Sequence, residues 1–294
     1  MPKLHLFAVR AVGIAAASLL AVPAAVAAQR GLPTMPAHGQ PLPITERSMV
    51  ITKYGIVAAS QPLAATAGVH MLELGGNAVD AAIAANAANG LMEPAMNGLG
   101  GDLFAIVYIA KTGKLYGLNS SGWSATVMTP ALLASKGITR INLRLIWGVT
   151  VPGTLPAWQA LHDRFGTLPL STLLAPTIRY AREGFPVTQV IAETWAEYLR
   201  TLNATPNAAK TYLIDGHTPR EGEVFRNPDL AQSLTRIAEH GRDGFYKGAT
   251  AESILATERE LGGTMTAADL ADCQPQWVTP RHVDCRGWTV YELP

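Results

Sequence analysis

The sequence predicts an α+β fold, mainly helical, with edge and hairpin strands. Three observations carry this. An alanine-rich stretch over residues 77–92 has its larger apolar residues at helical spacing. A glycine cluster then turns the chain into an apolar run, Leu103 to Ile109, that reads as a core strand. From Leu155 the apolar positions recur at helical spacing as far as Leu261, and residues 276–293 revert to strand character.

The chain opens on a segment that reads as a signal peptide, residues 1–28. Lys3, His5 and Arg10 make a basic start, Ala11 to Val22 is apolar and small, and cleavage is expected after Ala27 or Ala28. That apolar run is shorter than the roughly 20 residues that span a bilayer, so an uncleaved anchor is the second reading. Export to the periplasm or the medium is expected, with no membrane attachment beyond the leader. Residues 29–47 carry four prolines between Gly31 and Pro43 and read as an extended tether; residues 48–294 read as the folded domain. Removing residues 1–28 takes two of the 23 basic residues and none of the 22 acidic ones, leaving a net charge of −1. With no basic stripe and no interleaved aromatics, a nucleic-acid partner is not expected.

The elements follow in order. Met49 to Thr52 and Ile56 to Ala59 are short β-prone runs. Ser60 is placed to cap a helix with Pro62 in its first turn and Val69, Leu72 and Leu74 on its apolar side. Gly75 and Gly76 end that helix. Asn77 caps the next, with Asp80 three residues on supplying negative charge at its first turn. Val79, Ile83, Ala87 and Leu91 recur at four-residue spacing among further alanines, so neighbouring backbones can approach this helix closely. Pro94 ends it. Residues 103–119 form a hairpin turning at Lys111-Thr112-Gly113-Lys114. Trp158, Leu161 and Phe165 mark a helix, and Leu173, Leu174 and Ile178 a second that Pro176 should kink or interrupt. Ile191 to Leu202, Leu230 to Ala238 and Ile254 to Leu261 give three more. Thr266-Ala267-Ala268-Asp269 reads as a capping box.

Chemistry-bearing motifs are scarce. The seven histidines show no metal spacing, His-Glu-x-x-His is absent, and two cysteines make no zinc pattern. No Gly-x-Ser-x-Gly elbow occurs. The Gly98–Asp102 cluster stands between a helix and a strand, the reverse of the phosphate-binding order, and no Lys lies between Lys53 and Lys111. Neither a metal nor another cofactor is expected.

Gly75-Gly76-Asn77-Ala78-Val79-Asp80-Ala81-Ala82, the glycine cluster and the Phe-containing strand together resemble the N-terminal part of the gamma-glutamyltransferases (glutathione hydrolases). Val151-Pro152-Gly153-Thr154, Leu174-Ala175-Pro176 and Ala181 to Phe185 agree. The resemblance covers roughly residues 48–294. It implies part of the αββα sandwich of the N-terminal-nucleophile hydrolases, and transfer or hydrolysis of γ-glutamyl amides such as glutathione. In that family the nucleophile is the N-terminal Thr of a small subunit released by self-cleavage. No Thr here matches it, so the resemblance implies no catalytic residue in this chain and a missing small subunit as partner. The chain is expected to be an incomplete large-subunit portion.

One substrate-binding residue is expected here. Relatives carry an Arg just after the first hairpin that holds the donor's α-carboxylate. This sequence has Leu118-Asn119-Ser120-Ser121-Gly122-Trp123, with Ser121 at the Arg position and no Arg between Arg47 and Arg140. Trp123 is then a candidate wall of an apolar acyl pocket, as in acylases of the same superfamily, or a plain core residue. Arg140 and Arg144 are the alternative carboxylate anchors. The substrate is thus a γ-glutamyl or other acyl amide. The alternatives are an acylase with a non-glutamyl substrate and a non-catalytic exported scaffold. Cys273 and Cys285 would meet in a hairpin centred on Thr279-Pro280 but not in one turning at residues 284–287; the resemblance favours the second, hence two free thiols.

Overall fold

A computed structural model of the chain describes residues 49–142 and 145–294. The stretches expected to be a signal peptide and a tether, and Arg144, lie outside the described residues. Thr52–Pro294 forms one compact unit. The runs 49–52 and 56–59 are not strands, and no strand among the described residues pairs with them.

Helix α1, Pro62–Glu73, is capped by Gln61, whose Oε1 accepts the Ala64 N–H at 3.0 Å. Ser60 is not the cap. Pro62 has no N–H to offer, and the Ser60 hydroxyl instead donates to the Glu93 carboxylate at 2.6 Å. The helix closes on Gly75 in the left-handed region (φ 86°), with Gly75 N–H bonded to Leu72 O and Gly76 N–H to Met71 O. Helix α2, Ala78–Met92, starts from a complete capping box of Asn77 and Asp80 and ends before Pro94. Ten of its fifteen residues are buried, among them Val79, Ile83 and Leu91, and it packs against α1.

Strands β1, Leu103–Ile109, and β2, Lys114–Ser120, pair antiparallel with Leu103 opposite Ser120. The apolar run of β1 is not buried on both faces. Leu103, Ala105 and Val107 turn inward, while Phe104, Ile106 and Tyr108 alternate outward, Tyr108 at 63% exposure. Short helix α3, Pro130–Ser135, follows under a Thr129 cap. Helix α4, Thr154–Phe165, runs beneath the hairpin, and α5, Leu170–Glu183, packs against α2. Pro176 does not interrupt α5: the buried face of Leu173, Leu174, Thr177 and Ala181 holds both halves to the core.

Two-residue strand β3, Phe185–Pro186, precedes α6, Gln189–Glu197, α7, Leu199–Leu202, and α8, Pro206–Tyr212. Strand β4, Val224–Phe225, pairs with β3, and Trp195 stacks edge-on to Phe225 at 4.8 Å in a small second core. Helix α9, Pro228–His240, is the most clearly two-faced, with Leu234 and Ile237 fully buried against α5. Helices α10, Asp243–Tyr246, α11, Gly248–Glu260, and α12, Ala267–Asp272, complete the helical part.

Strand β5, Gln276–Val278, joins β2, giving the sheet order β1-β2-β5. Strands β6, Arg281–Cys285, and β7, Trp288–Glu292, form a separate hairpin turning at Arg286 and Gly287, both at positive φ. That turn keeps the cysteines apart: Cys273 is buried, Cys285 is exposed, and both are free. No helix among the described residues is long and apolar enough to cross a membrane.

Candidate functional site

The antiparallel pairing of β1 and β2 puts the start of one strand beside the end of the other. The glycine loop 98–102 and the segment 120–124 therefore lie at the same end of the sheet. The Val151-Pro152-Gly153-Thr154 segment ties them together. Gly153 and Thr154 donate their N–H groups to Gly101 O at 2.8 and 3.0 Å, and the Thr154 hydroxyl donates to Gly98 O at 3.0 Å. On the other side Ser120 Oγ donates to Gly153 O at 2.6 Å and Val151 N–H to Trp123 O at 2.8 Å. A Cβ on Gly153 would stand 2.0 Å from Ser120 O, and one on Gly122 2.1 Å from Val151 O, so only glycine permits this approach.

Two further supports come from distant helices. The Tyr246 hydroxyl donates to Pro152 O. Burial, with a smaller contribution from the Cys273 thiol and against the pull of Arg242, pushes that phenol up, so it stays protonated and donating. Asp269, in its own capping box with Thr266, accepts the Thr126 N–H at 2.8 Å and hydroxyl at 2.6 Å. Burial alone would raise the Asp269 carboxyl. The hydroxyls of Thr126 and Thr266 and their N–H groups outweigh it and hold the carboxyl at about 2. The segment leaving Trp123 is thus fixed by an ionised side chain 143 residues away.

A cleft of about 330 Å³ is lined by residues 119–124 and Gln276. Ser121 and Trp123 both line it. Ser121 is exposed; its N–H donates to Asn119 Oδ1 at 3.0 Å and its hydroxyl to Gly122 O at 3.4 Å. Trp123 is 55% exposed and so is not a core residue of the described chain. The lining offers hydroxyls, two amides and an indole, and no charged side chain. Arg140 is exposed and does not line the cleft. Arg164 lies against Tyr116 and Trp277 at 4.3 and 4.4 Å, on the rings that cover the inner face of the sheet.

Ser121 bonds to the Asn119 side chain and the Gly122 carbonyl, and no His, Lys or carboxylate lines the cleft to serve as a base. Among the described residues no three His, Cys, Asp or Glu side chains gather as a metal site. The cleft can hold and orient an uncharged acyl group by hydrogen bonds and ring contact. Thr154, Gln276, Tyr246 and Asp269 were not singled out from sequence as site supports. The Val-Pro-Gly-Thr motif and the capping box were visible signals, but their partners are far away along the chain.

The family model described as Gamma-glutamyltranspeptidase matches residues 64–294. The chain is 36% identical over 249 residues to the glutathione hydrolase-like YwrD proenzyme of Bacillus subtilis, covering 84% of this chain and 47% of that protein. It superposes on a cephalosporin acylase from Bacillus halodurans with a TM-score of 0.80 and 41% identity, covering 88% of this chain and 49% of that one. It superposes on the gamma-glutamyltranspeptidase of Helicobacter pylori with a TM-score of 0.79 and 30% identity, over 84% and 72% of the two chains. The chain spans less than half the length of the curated relatives it matches.

Proposed function

The chain belongs to the gamma-glutamyltranspeptidase family, and from that premise we propose that it is the large-subunit part of an exported amide acyl-transfer enzyme. The nucleophilic Thr and the oxyanion-hole donors come from a small subunit outside this chain; the large subunit builds the acyl cleft. Attack by that Thr would form an ester with the acyl group and release the amine, and water or a second amine would then take the acyl group. The likeness to relatives named as proenzymes supports a partner released by self-cleavage.

The observation that carries the substrate reading is the uncharged cleft around Ser121 and Trp123. A γ-glutamyl donor presents an α-carboxylate, which a guanidinium holds best. With Ser121 in that place, we read the preferred donor as an acyl amide without a carboxylate there, γ-glutamyl compounds being weaker substrates. The likeness to a cephalosporin acylase is in keeping with this. The test is reconstitution. The 294-residue chain alone should leave an acyl anilide intact, and the chain joined to a small subunit of the family should process itself and release the aniline. Turnover by the chain alone would overturn the assignment of the nucleophile to a partner.

A further inference from the structure

A second cleft, of about 580 Å³, is lined by α9 and α11 and by Pro152. Asp229, Gln232, Ser233 and Arg236 recur three and four residues apart along α9 and all line it, so one face of that helix borders the cleft. Thr250, Ser253 and Ile254 of α11 line it from the other side, and Phe245, Met265 and Pro152 add apolar wall. The cleft therefore joins a polar wall to an apolar one, which is the make-up of a small-molecule site.

Arg236 is the cation in that lining. It is half-buried, and its guanidinium makes one long hydrogen bond, 3.5 Å, to the Thr250 hydroxyl. None of the ion pairs among the described residues includes it. Asp229 lies seven residues earlier, about 10 Å along the helix axis at 1.5 Å per residue. The Arg236 backbone is held in place: a Cβ on Gly244 would stand 2.2 Å from Arg236 O, so α10 crosses there at glycine distance. A half-buried fork of donors without a carboxylate partner, flanked by hydroxyls and an apolar wall, matches a carboxylate carried on an apolar body.

We propose that this cleft binds a small amphipathic carboxylate, with Arg236 as the anchor of the carboxylate and Phe245, Ile254 and Met265 taking the apolar part. The site does not rest on the acyl-transfer reading and is distinct from the cleft at Ser121. The experiment is calorimetric titration of the full 294-residue chain with 4-phenylbutyrate, its neutral amide and inorganic phosphate. The carboxylate should bind roughly ten- to a hundred-fold more tightly than the amide, the range of a charge-assisted hydrogen bond, and phosphate more weakly than the carboxylate. Arg236→Gln should remove the preference for the carboxylate over the amide. Ser253→Trp, which fills the cleft from an exposed position and leaves the guanidinium in place, should remove binding of both. Should Arg236→Gln unfold, the amide comparison and Ser253→Trp decide the matter. Equal binding of acid and amide, retention of the preference in Arg236→Gln, undiminished binding in Ser253→Trp, or phosphate binding as tight as the carboxylate would each overturn the proposal.

Discussion

Asp80 shows how one side chain joins two levels of structure. It is fully buried, completes the cap of α2 by accepting the Asn77 N–H at 2.9 Å, and accepts the Thr167 N–H at 3.0 Å and its hydroxyl. Burial by itself would raise its carboxyl. The Thr167 hydroxyl and the N–H groups of Asn77, Thr167 and Leu168 together hold it below the ordinary range. Asp80→Asn should cost about 2–4 kcal/mol, because an amide nitrogen would face N–H donors in the interior. A urea unfolding curve with an unchanged midpoint would contradict this. Asp269 gives a pH test. Its folded value of about 2 against an ordinary 3.8 means its stabilisation is fully present above about pH 4. That stabilisation is lost as pH falls from there through about 2. Asp269→Asn should flatten that part of the stability–pH curve by roughly 2 kcal/mol at most. The local halves of both capping boxes were legible from a spacing of three residues. Their distant halves were not, since Thr167 lies 87 residues from Asp80 and Thr126 lies 143 from Asp269.

Among the elements, the helices were the most legible and the strands the least. Helix α2 announced itself because alanines filled the positions where bulk would have kept its neighbours away. Four helix starts among the described residues carry a cap followed by proline: Gln61-Pro62, Thr129-Pro130, Thr205-Pro206 and Asn227-Pro228. That signal marks α3 and α8, whose sequences lack a strong apolar stripe. Strand β1 misled because an unbroken apolar run looks the same whether both faces meet the core or only one does. The site depends on a contact between elements that no local pattern reveals, the approach of Gly153 to Ser120. Gly153→Ala should therefore destabilise the chain by about 3 kcal/mol or more through a backbone clash. Gly100→Ala, with nothing within 4 Å of the added methyl group, should leave the melting temperature almost unchanged. Equal melting of the two variants would show that the Val151–Thr154 segment does not need its close packing.

At the scale of the whole molecule, the outward side chains of β1 and the hairpin of β6 and β7 leave large apolar groups in solvent. Phe104 is 52% exposed, and Val283, Val290 and Tyr291 are all about half exposed or more. Such surface on one chain favours association or binding of apolar probes. The 294-residue chain should bind a hydrophobic dye strongly, and replacing Phe104, Ile106 and Tyr108 together by Ser should lower the fluorescence markedly without loss of helical signal. Unchanged dye binding would place the sticky surface elsewhere. The fold class and the family were legible because long stretches of spacing and composition agree. The proposed acyl cleft rests on a departure, Ser121 where the family's Arg was expected.

That departure supplies the most direct test. The measurement is kcat/KM of the reconstituted enzyme on γ-glutamyl anilide and on the same anilide without the α-carboxylate, for the parent and for Ser121→Arg. The uncharged cleft predicts that the parent prefers the donor without the carboxylate. It also predicts that Ser121→Arg raises use of the γ-glutamyl donor roughly ten- to a hundred-fold relative to the other. A parent that already prefers the γ-glutamyl donor strongly, with no gain in the variant, would contradict the account and place the carboxylate anchor on another cation.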